Sequence, residues 1–440
     1  MSNPDRTASN SPANSNRLTR RKLWLFRGTA LVMVVGVIEL VSWFVWMTFP
    51  PIKLTELKGQ WKSVAELGTE RTTDLEVLHP YLGWAFNPDA AEVPDHAKGV
   101  VTVNALGFAD TGPTIRKRSA DRFIIAICGG SVAQQMSTIG EQDFRKLLES
   151  SPQLRDKQIE IVRLAMSGYK QPQHLMALNY AMVLGGEFDV VINIDGYNET
   201  GLTVGENELH QVFAAYPRAW QARLQDVVDP RNASTSYQLL EVRATRQARA
   251  QWISQSWLRH TWTGSLAWAS QDSLLRSRQI QLGVDLVENF RKRGHGFARQ
   301  GPRQMYSNES EMYEHVTELW SNSSLQMHFL CAGRGIPYLH FLQPNQYHEG
   351  SKPLSPKELE SYYSPQEYHA IAVKQGYPKL IEAGKVLRER GVDFHDLTQL
   401  FSKETDTIYS DYFCHYNPRG TGMLSKAVAE RILQLLPMPQ

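Results

Sequence analysis

The stretch Phe123-Ile-Ile-Ala-Ile-Cys-Gly-Gly-Ser131 (FIIAICGGS, residues 123–131) decides how this chain is read. A short apolar run rich in isoleucine ends in two glycines, the pattern of a buried strand that turns sharply at its carboxyl end. Working outward, a helix is expected at about 141–149, a second strand at IEIVRLAM (159–166), a helix at 173–184 and a third strand at DVVINI (189–194). Farther along, IPYLHFL (336–342) and VDFHDL (392–397) read as a fourth and fifth strand. Helices at about 311–333 and 365–389 precede them, and one at 420–436 closes the chain. Strand alternating with helix predicts a parallel sheet covered on both faces. In such sheets ligands sit at the carboxyl ends of the strands, near the topological switch point.

Composition narrows the class. Of the 440 residues 42% are apolar and 21% charged, which excludes wholesale disorder and leaves ample chain for a core and two or three domains. A net charge of +2 excludes a polycation that coats nucleic acid, and no nucleic-acid partner is expected. Three cysteines exclude a disulfide-stapled small fold, and the spacing of Cys128, Cys331 and Cys414 matches no zinc pattern.

The amino-terminal end points to a membrane. Residues 1–22 are polar and end in the basic cluster Arg17, Arg20, Arg21 and Lys22. From Gly28 to Phe49 a single charge, Glu39, interrupts an apolar run long enough to cross a bilayer as a helix. Trp24 stands at one end and Trp43 and Trp46 near the other, and Pro50-Pro51 stops the helix. A cleaved signal peptide needs a shorter run and a small-residue cleavage site, which TFPPIKLTEL does not offer. Residues 23–49 are therefore expected to anchor the chain, with residues 1–22 cytoplasmic and the remainder periplasmic or luminal. Glu39 is costly within a membrane, and contact with another membrane protein is one expectation for it; neutralisation or hydration is the other.

The exported part reads as a lead-in (50–118), a first α/β part (119–200), an Arg-rich, helix-compatible insertion (201–310) and a second α/β part (311–440). Residues 211–303 carry 13 Arg and one Lys against six Asp and Glu, a net charge of +8. Either those side chains are simply solvated, or they form a basic cover facing anionic headgroups or an acidic glycan.

Four segments at strand ends carry chemistry. Gly129-Gly130-Ser131 follows the first strand; glycines let the backbone turn and approach a ligand, and Ser131 opens a helix whose N–H groups favour an anion. It is not a G-x-S-x-G elbow, since Ala133 fills the last position. Ser167-Gly168-Tyr169 follows the second strand and Asp195-Gly196-Tyr197-Asn198-Glu199 the third; a Gly N–H and an Asn amide are donors suited to an oxyanion, although turns also favour these residues. Asp411-Tyr-Phe-Cys-His415 precedes the last helix, and an Asp that orients a His that deprotonates a Ser is the usual relay for activating a hydroxyl.

Taken in this order, the segments resemble the conserved blocks of the SGNH/GDSL hydrolases, and VNALGFAD (103–110) resembles the lead-in of their membrane-anchored bacterial members. The resemblance covers residues 79–200 and 311–440. It implies a three-layer α/β/α sandwich around a parallel sheet in flavodoxin-like order, with the membrane helix and the helical insertion added. It further implies Ser131 as nucleophile, His415 as base and then acid, and Asp411 as its orienter. The oxyanion hole would be the Ser131 and Gly168 N–H groups and the Asn198 amide. No metal or organic cofactor is implied. The family spaces its Asp and His as D-x-x-H, and the extra residue here puts Asp411 in question more than His415: a turn absorbs it, or His415 works in a dyad.

The expected activity is that of a membrane-tethered esterase acting on an acylated glycan or small ester. A polysaccharide O-acyltransferase of the same fold and a catalytically silent glycan-binding scaffold are the alternatives. Cys128 and Cys414 flank Ser131 and His415 and are expected close together, as a disulfide or as two buried thiols. Cys331 and His340 read as core. Gln343-Pro344-Asn345 reads as a turn beside the site or as a substrate contact. Asn198, Asn232, Asn308 and Asn322 match the N-glycosylation pattern; a glycan on Asn198 would destroy its role as a donor, so the matches are taken as chance in a bacterial chain.

Overall fold

Strand β5 (Arg122–Gly129) is buried from Phe123 onward, as a strand with neighbours on both edges and helices on both faces must be. The computed structural model describes residues 20–49, 75–90, 92–95, 99–224, 233–293, 297–302 and 304–436. The tail before Arg20, Pro50-Pro51 and Asn232 lie outside the described residues. The chain divides into two compact units, residues 1–70 with 234–285 and residues 71–233 with 286–440. The Arg-rich stretch 201–310 is therefore shared between them.

In chain order the larger elements begin with helix α1 (Arg20–Thr48) and two hairpins, β1 (Glu76–His79) with β2 (Gly83–Phe86) and β3 (Glu92–Asp95) with β4 (Gly99–Thr102). Then come β5, α2 (Ser131–Thr138), α3 (Glu141–Glu149), β6 (Gln158–Arg163), α4 (Gln173–Val183) and β7 (Val190–Asp195). A wide π-type helical segment (Asn198–Glu208) leads to α5 (Ala233–Gln255), α6 (Trp262–Arg293) and α7 (Glu309–Ala332). The chain closes with β8 (Tyr338–Leu342), α8 (Tyr368–Glu389), β9 (Asp393–Asp396) and α9 (Pro418–Leu435).

In the larger unit five parallel strands pair in the order β6-β5-β7-β8-β9, the flavodoxin-like order. The chain steps one way from β5 to β6 and back across to β7, so right-handed crossovers put their helices on opposite faces. Accordingly α9 packs on α2 and α3, while α7 packs on α4 and α8. All carboxyl ends share one edge, and Gly129 of β5 lies in register with Ile194 of β7. The switch point falls between these two strands.

The lead-in, which sequence reading left without regular structure, supplies the two hairpins. Trp84 of β2 is fully buried, edge-on to Tyr169 at 5.1 Å, and its carbonyl accepts the Tyr169 hydroxyl at 2.5 Å. The hairpin thereby buttresses the loop after β6.

In the smaller unit α1 is long and apolar enough to cross a membrane. Trp46 is buried in a small cluster with Ala250, Ile253, Trp268 and Ala269. Glu39 accepts hydrogen bonds from the Trp262 and Thr263 amides at 2.8 and 3.1 Å, and Ser42 Oγ lies 3.0 Å from Thr263 Oγ1. The charge in the apolar run thus meets the amino terminus of a helix of its own chain.

Candidate active site

The turn after β5 admits only glycines. Gly129 has φ +142°, and a Cβ there would lie 2.2 Å from the Ile194 carbonyl oxygen. A Cβ on Gly130 would lie 2.3 Å from Asn198 Nδ2, so the missing side chain is the space through which the Asn198 amide reaches the head of α2. Ser131 follows as the first residue of α2, only 8% exposed, where the helix directs unpaired N–H groups outward.

Ser131 Oγ lies 2.7 Å from His415 Nε2, and His415 Nδ1 bonds Asp411 Oδ2. These two residues sit on a loop that follows β9, far from Ser131 in sequence. The local geometry explains the added residue between them. Asp411 Oδ1 accepts the backbone amides of Phe413, Cys414 and His415 at 2.9, 3.1 and 3.3 Å. One carboxylate oxygen folds the turn and the other holds the imidazole, so the turn absorbs the extra residue. Burial raises the pKa of Asp411, but the hydrogen bond and charge of His415 outweigh it and hold the carboxyl below its ordinary value.

The loop after β8 braces this turn. Asn345 Nδ2 donates to the Phe413 carbonyl at 2.9 Å, Gln346 Nε2 to the Asp411 carbonyl at 2.9 Å, and the Tyr416 hydroxyl to the Pro344 carbonyl at 2.8 Å. Gln343-Pro344-Asn345 is thus a support for the Asp411–His415 loop, not part of the cleft wall. Cys128, Cys331 and Cys414 are all free and buried, so the pairing of Cys128 with Cys414 is not made; burial raises the pKa of both thiols.

The three loops that carry Ser131, Gly168 and Asn198 interlock. Gln134 of α2 accepts the Ser167 amide at 2.7 Å. Asn198 Nδ2 donates to the Tyr169 carbonyl at 2.7 Å, leaving its second hydrogen for a ligand. Glu199 accepts Gln171 N at 3.0 Å and Gly196 N at 2.8 Å, tying the second loop to the third. Burial, with the nearby Asp195 charge, raises the Glu199 carboxyl above its usual range. Sequence reading missed Gln134 and Glu199; Glu199 stands in the quoted DGYNE segment, but nothing local marks it as a bridge between loops.

Beneath them His174, Asp195 and Glu199 bring potential ligand atoms within 4.8 Å of one another. By spacing these residues could hold a cation. Asp195, however, already accepts from Trp320 Nε1 at 2.8 Å, His340 Nε2 at 2.8 Å and Asn193 Nδ2 at 2.6 Å, and Glu199 is committed to two amides. Asp195 and Glu199 are thus bracing groups, with His340 part of their network, while His174 Nδ1 stands 3.5 Å from Asp195 Oδ2. Burial works against the Asp195 charge, but His340 and His174 overcome it and hold the carboxyl far below its usual value.

Above Ser131 opens a cleft of about 600 Å³ lined by Gly168, Tyr197, Asn198, Arg218, Tyr368 and Phe413, among others. Arg218 pairs with Glu206 at 3.1 Å. Asn198 is buried at this cleft, whereas Asn308 caps α7 by accepting the Glu311 amide. Compared with known proteins, the chain matches no family model, and no curated protein is significantly similar to it.

Proposed function

We propose that the chain is a membrane-anchored serine esterase of SGNH type that removes acyl groups from a glycan or another envelope ester outside the cytoplasm. The observation that carries this reading is the continuous relay from Ser131 Oγ through His415 to Asp411, opening into a cleft. His415 takes the Ser131 proton as Oγ attacks the ester carbonyl, and Asp411 stays ionised and stabilises the imidazolium. The oxyanion is met by the Ser131 and Gly168 N–H groups and the free hydrogen of the Asn198 amide. Collapse of this intermediate expels the alcohol, which leaves with the proton from His415. Water, deprotonated in turn by His415, then releases the acid and restores Ser131.

A sugar ester suits the cleft because the Tyr197, Tyr368 and Phe413 rings stand beside Arg218, Glu206 and Asn417, a mixture of flat apolar and polar surface with room beyond a small acyl group. The basic cluster at the amino-terminal end of α1 supports a cytoplasmic amino terminus. The test is hydrolysis of 4-nitrophenyl acetate by the detergent-solubilised full chain beside Ser131→Ala. Loss to background in the variant supports the acyl-enzyme route; equal rates from two folded proteins exclude it. Little hydrolysis but acceptor-dependent, Ser131-dependent acyl transfer would move the assignment to a transferase.

A further inference from the structure

Between Arg249 and Asp272 the connection of α5 to α6 carries Arg259 as its one residue of full charge, and it holds Trp252, Trp257, Trp262 and Trp268. The flanking parts of both helices are dense in charge: Glu241, Arg243 and Arg246 on one side, Arg276 and Arg278 on the other. Trp252 and Trp257 are 61% and 72% exposed. Such a tip fits poorly in water and well at a lipid interface, where amphipathic rings collect.

Helix α1 gives the tip a depth. Twenty residues beyond Arg27, the last basic residue before the apolar run, a helix has risen about 30 Å, the thickness of a hydrocarbon core, and has reached Met47. Glu39 then lies about 12 Å inside the far boundary. The Trp262 and Thr263 amides are bonded to Glu39 and share its level. Trp46 clusters with Trp268 and Ala269, so α6 climbs in the same direction as α1, and the connection 256–261 lies at the level of Glu39 or deeper.

Most amides of the tip, that of Trp257 apart, are bonded within the protein. The amides of Ser256, Arg259, Thr261 and Ser265 bond nearby carbonyls, those of Leu258 and Gly264 bond the Ser256 and Thr261 hydroxyls, and those of Trp262 and Thr263 bond Glu39. Backbone lodged among acyl chains needs this internal satisfaction.

We propose that residues 252–262 form a re-entrant foot in the leaflet at the carboxyl end of α1, with Trp252 and Trp257 against phospholipid and Glu39 as the latch that holds the foot to the anchor. This rests on α1 crossing a bilayer, as in the proposed function. Glu39 therefore needs no second membrane protein, because the foot supplies the donors its carboxylate requires.

The test places one thiol-reactive NBD dye at a time on the full chain, through Trp257→Cys, Trp252→Cys, Tyr237→Cys or Val35→Cys, in phosphatidylcholine–phosphatidylglycerol vesicles. The three native cysteines are buried, so the dye goes to the introduced thiol. Nitroxides on the acyl chains should quench positions 257, 252 and 35 and spare 237. Quenching at 35, with 257 and 252 as bright as 237, overturns the foot and leaves the anchor standing. A bright label at 35 removes the anchor and the foot with it. Glu39→Gln should lose the quenching at 257 and keep it at 35; quenching at 257 that persists overturns the latch.

Discussion

In the sheet-bearing unit Glu199, buried, and Asp411, at the cleft, accept backbone amides on top of a core of dozens of buried side chains, whereas in the helical unit Glu39 does the same beside a cluster of five. The acids of the larger unit do not hold the fold together, because apolar burial around β5 and β7 already does that. Their work is positional: Asp411 shapes one turn and orients His415, and Glu199 ties two loops around Asn198. In the helical unit apolar contact is sparse, and the directional bonds of Glu39 and Ser42 carry a larger share of the association between α1 and α6. Bonds to an ionised group gain in strength where water does not compete for them.

If acids in the larger unit serve position, removing one should cost activity out of proportion to stability. The largest effect is expected for Asp411→Asn. It retains an oxygen for the turn but disturbs the His415 tautomer, and kcat should fall by about 10⁴-fold with the thermal midpoint little changed. A parallel collapse of stability would break the comparison.

Gly130→Ala comes next. The new methyl displaces the Asn198 amide, and kcat should drop by about 10²–10³-fold, the usual loss of one oxyanion donor. KM measured alongside should move much less.

Glu199→Gln sharpens the contrast with Glu39. It leaves one amide of the Gln171–Gly196 pair without its charged acceptor, at a cost of about 1–3 kcal/mol read by chemical denaturation. The loss of kcat should exceed any rise in KM, because the loops bear on the oxyanion.

The smallest effect concerns Lys170, buried against the Ala214 carbonyl near Glu199. Burial, opposed by Glu199 and Glu206, lowers the pKa of its ammonium from 10.5 to about 8. Between those values the unfolded chain holds a proton that the folded chain has released. Stability should therefore rise as pH climbs through that window, and the penalty of a buried charge should be fully present below it. Lys170→Met should flatten that rise in pH-dependent denaturation.

The core strands were legible because each is a compact apolar run ended by turn residues, as β5 ends in Gly129-Gly130 and β7 in Asp195-Gly196. The hairpins β1–β2 and β3–β4 were not, since their strands are short and their apolar residues face partners remote in sequence, such as Trp84 under Tyr169. Ser131, Gly168, Asn198 and His415 could be named because each stands at a strand end or turn that the pattern already placed. Asp411 could be named with them as the orienter of His415, but its second task could not, because spacing along the chain does not reveal a carboxylate that also folds its own turn.

The sequence by itself determined the order of the strands and helices of the central sheet, the candidate nucleophile and base, and the apolar helix with a charge inside it. These follow from local periodicity and residue type, which operate over a few residues. Only the tertiary structure decided that Ser131 and His415 meet, that Gln134 and Glu199 interlock the donor loops, and that Glu39 is satisfied by the head of α6. Each of these joins groups far apart in the chain, and their meeting depends on strand register and helix packing, which no single stretch of sequence contains.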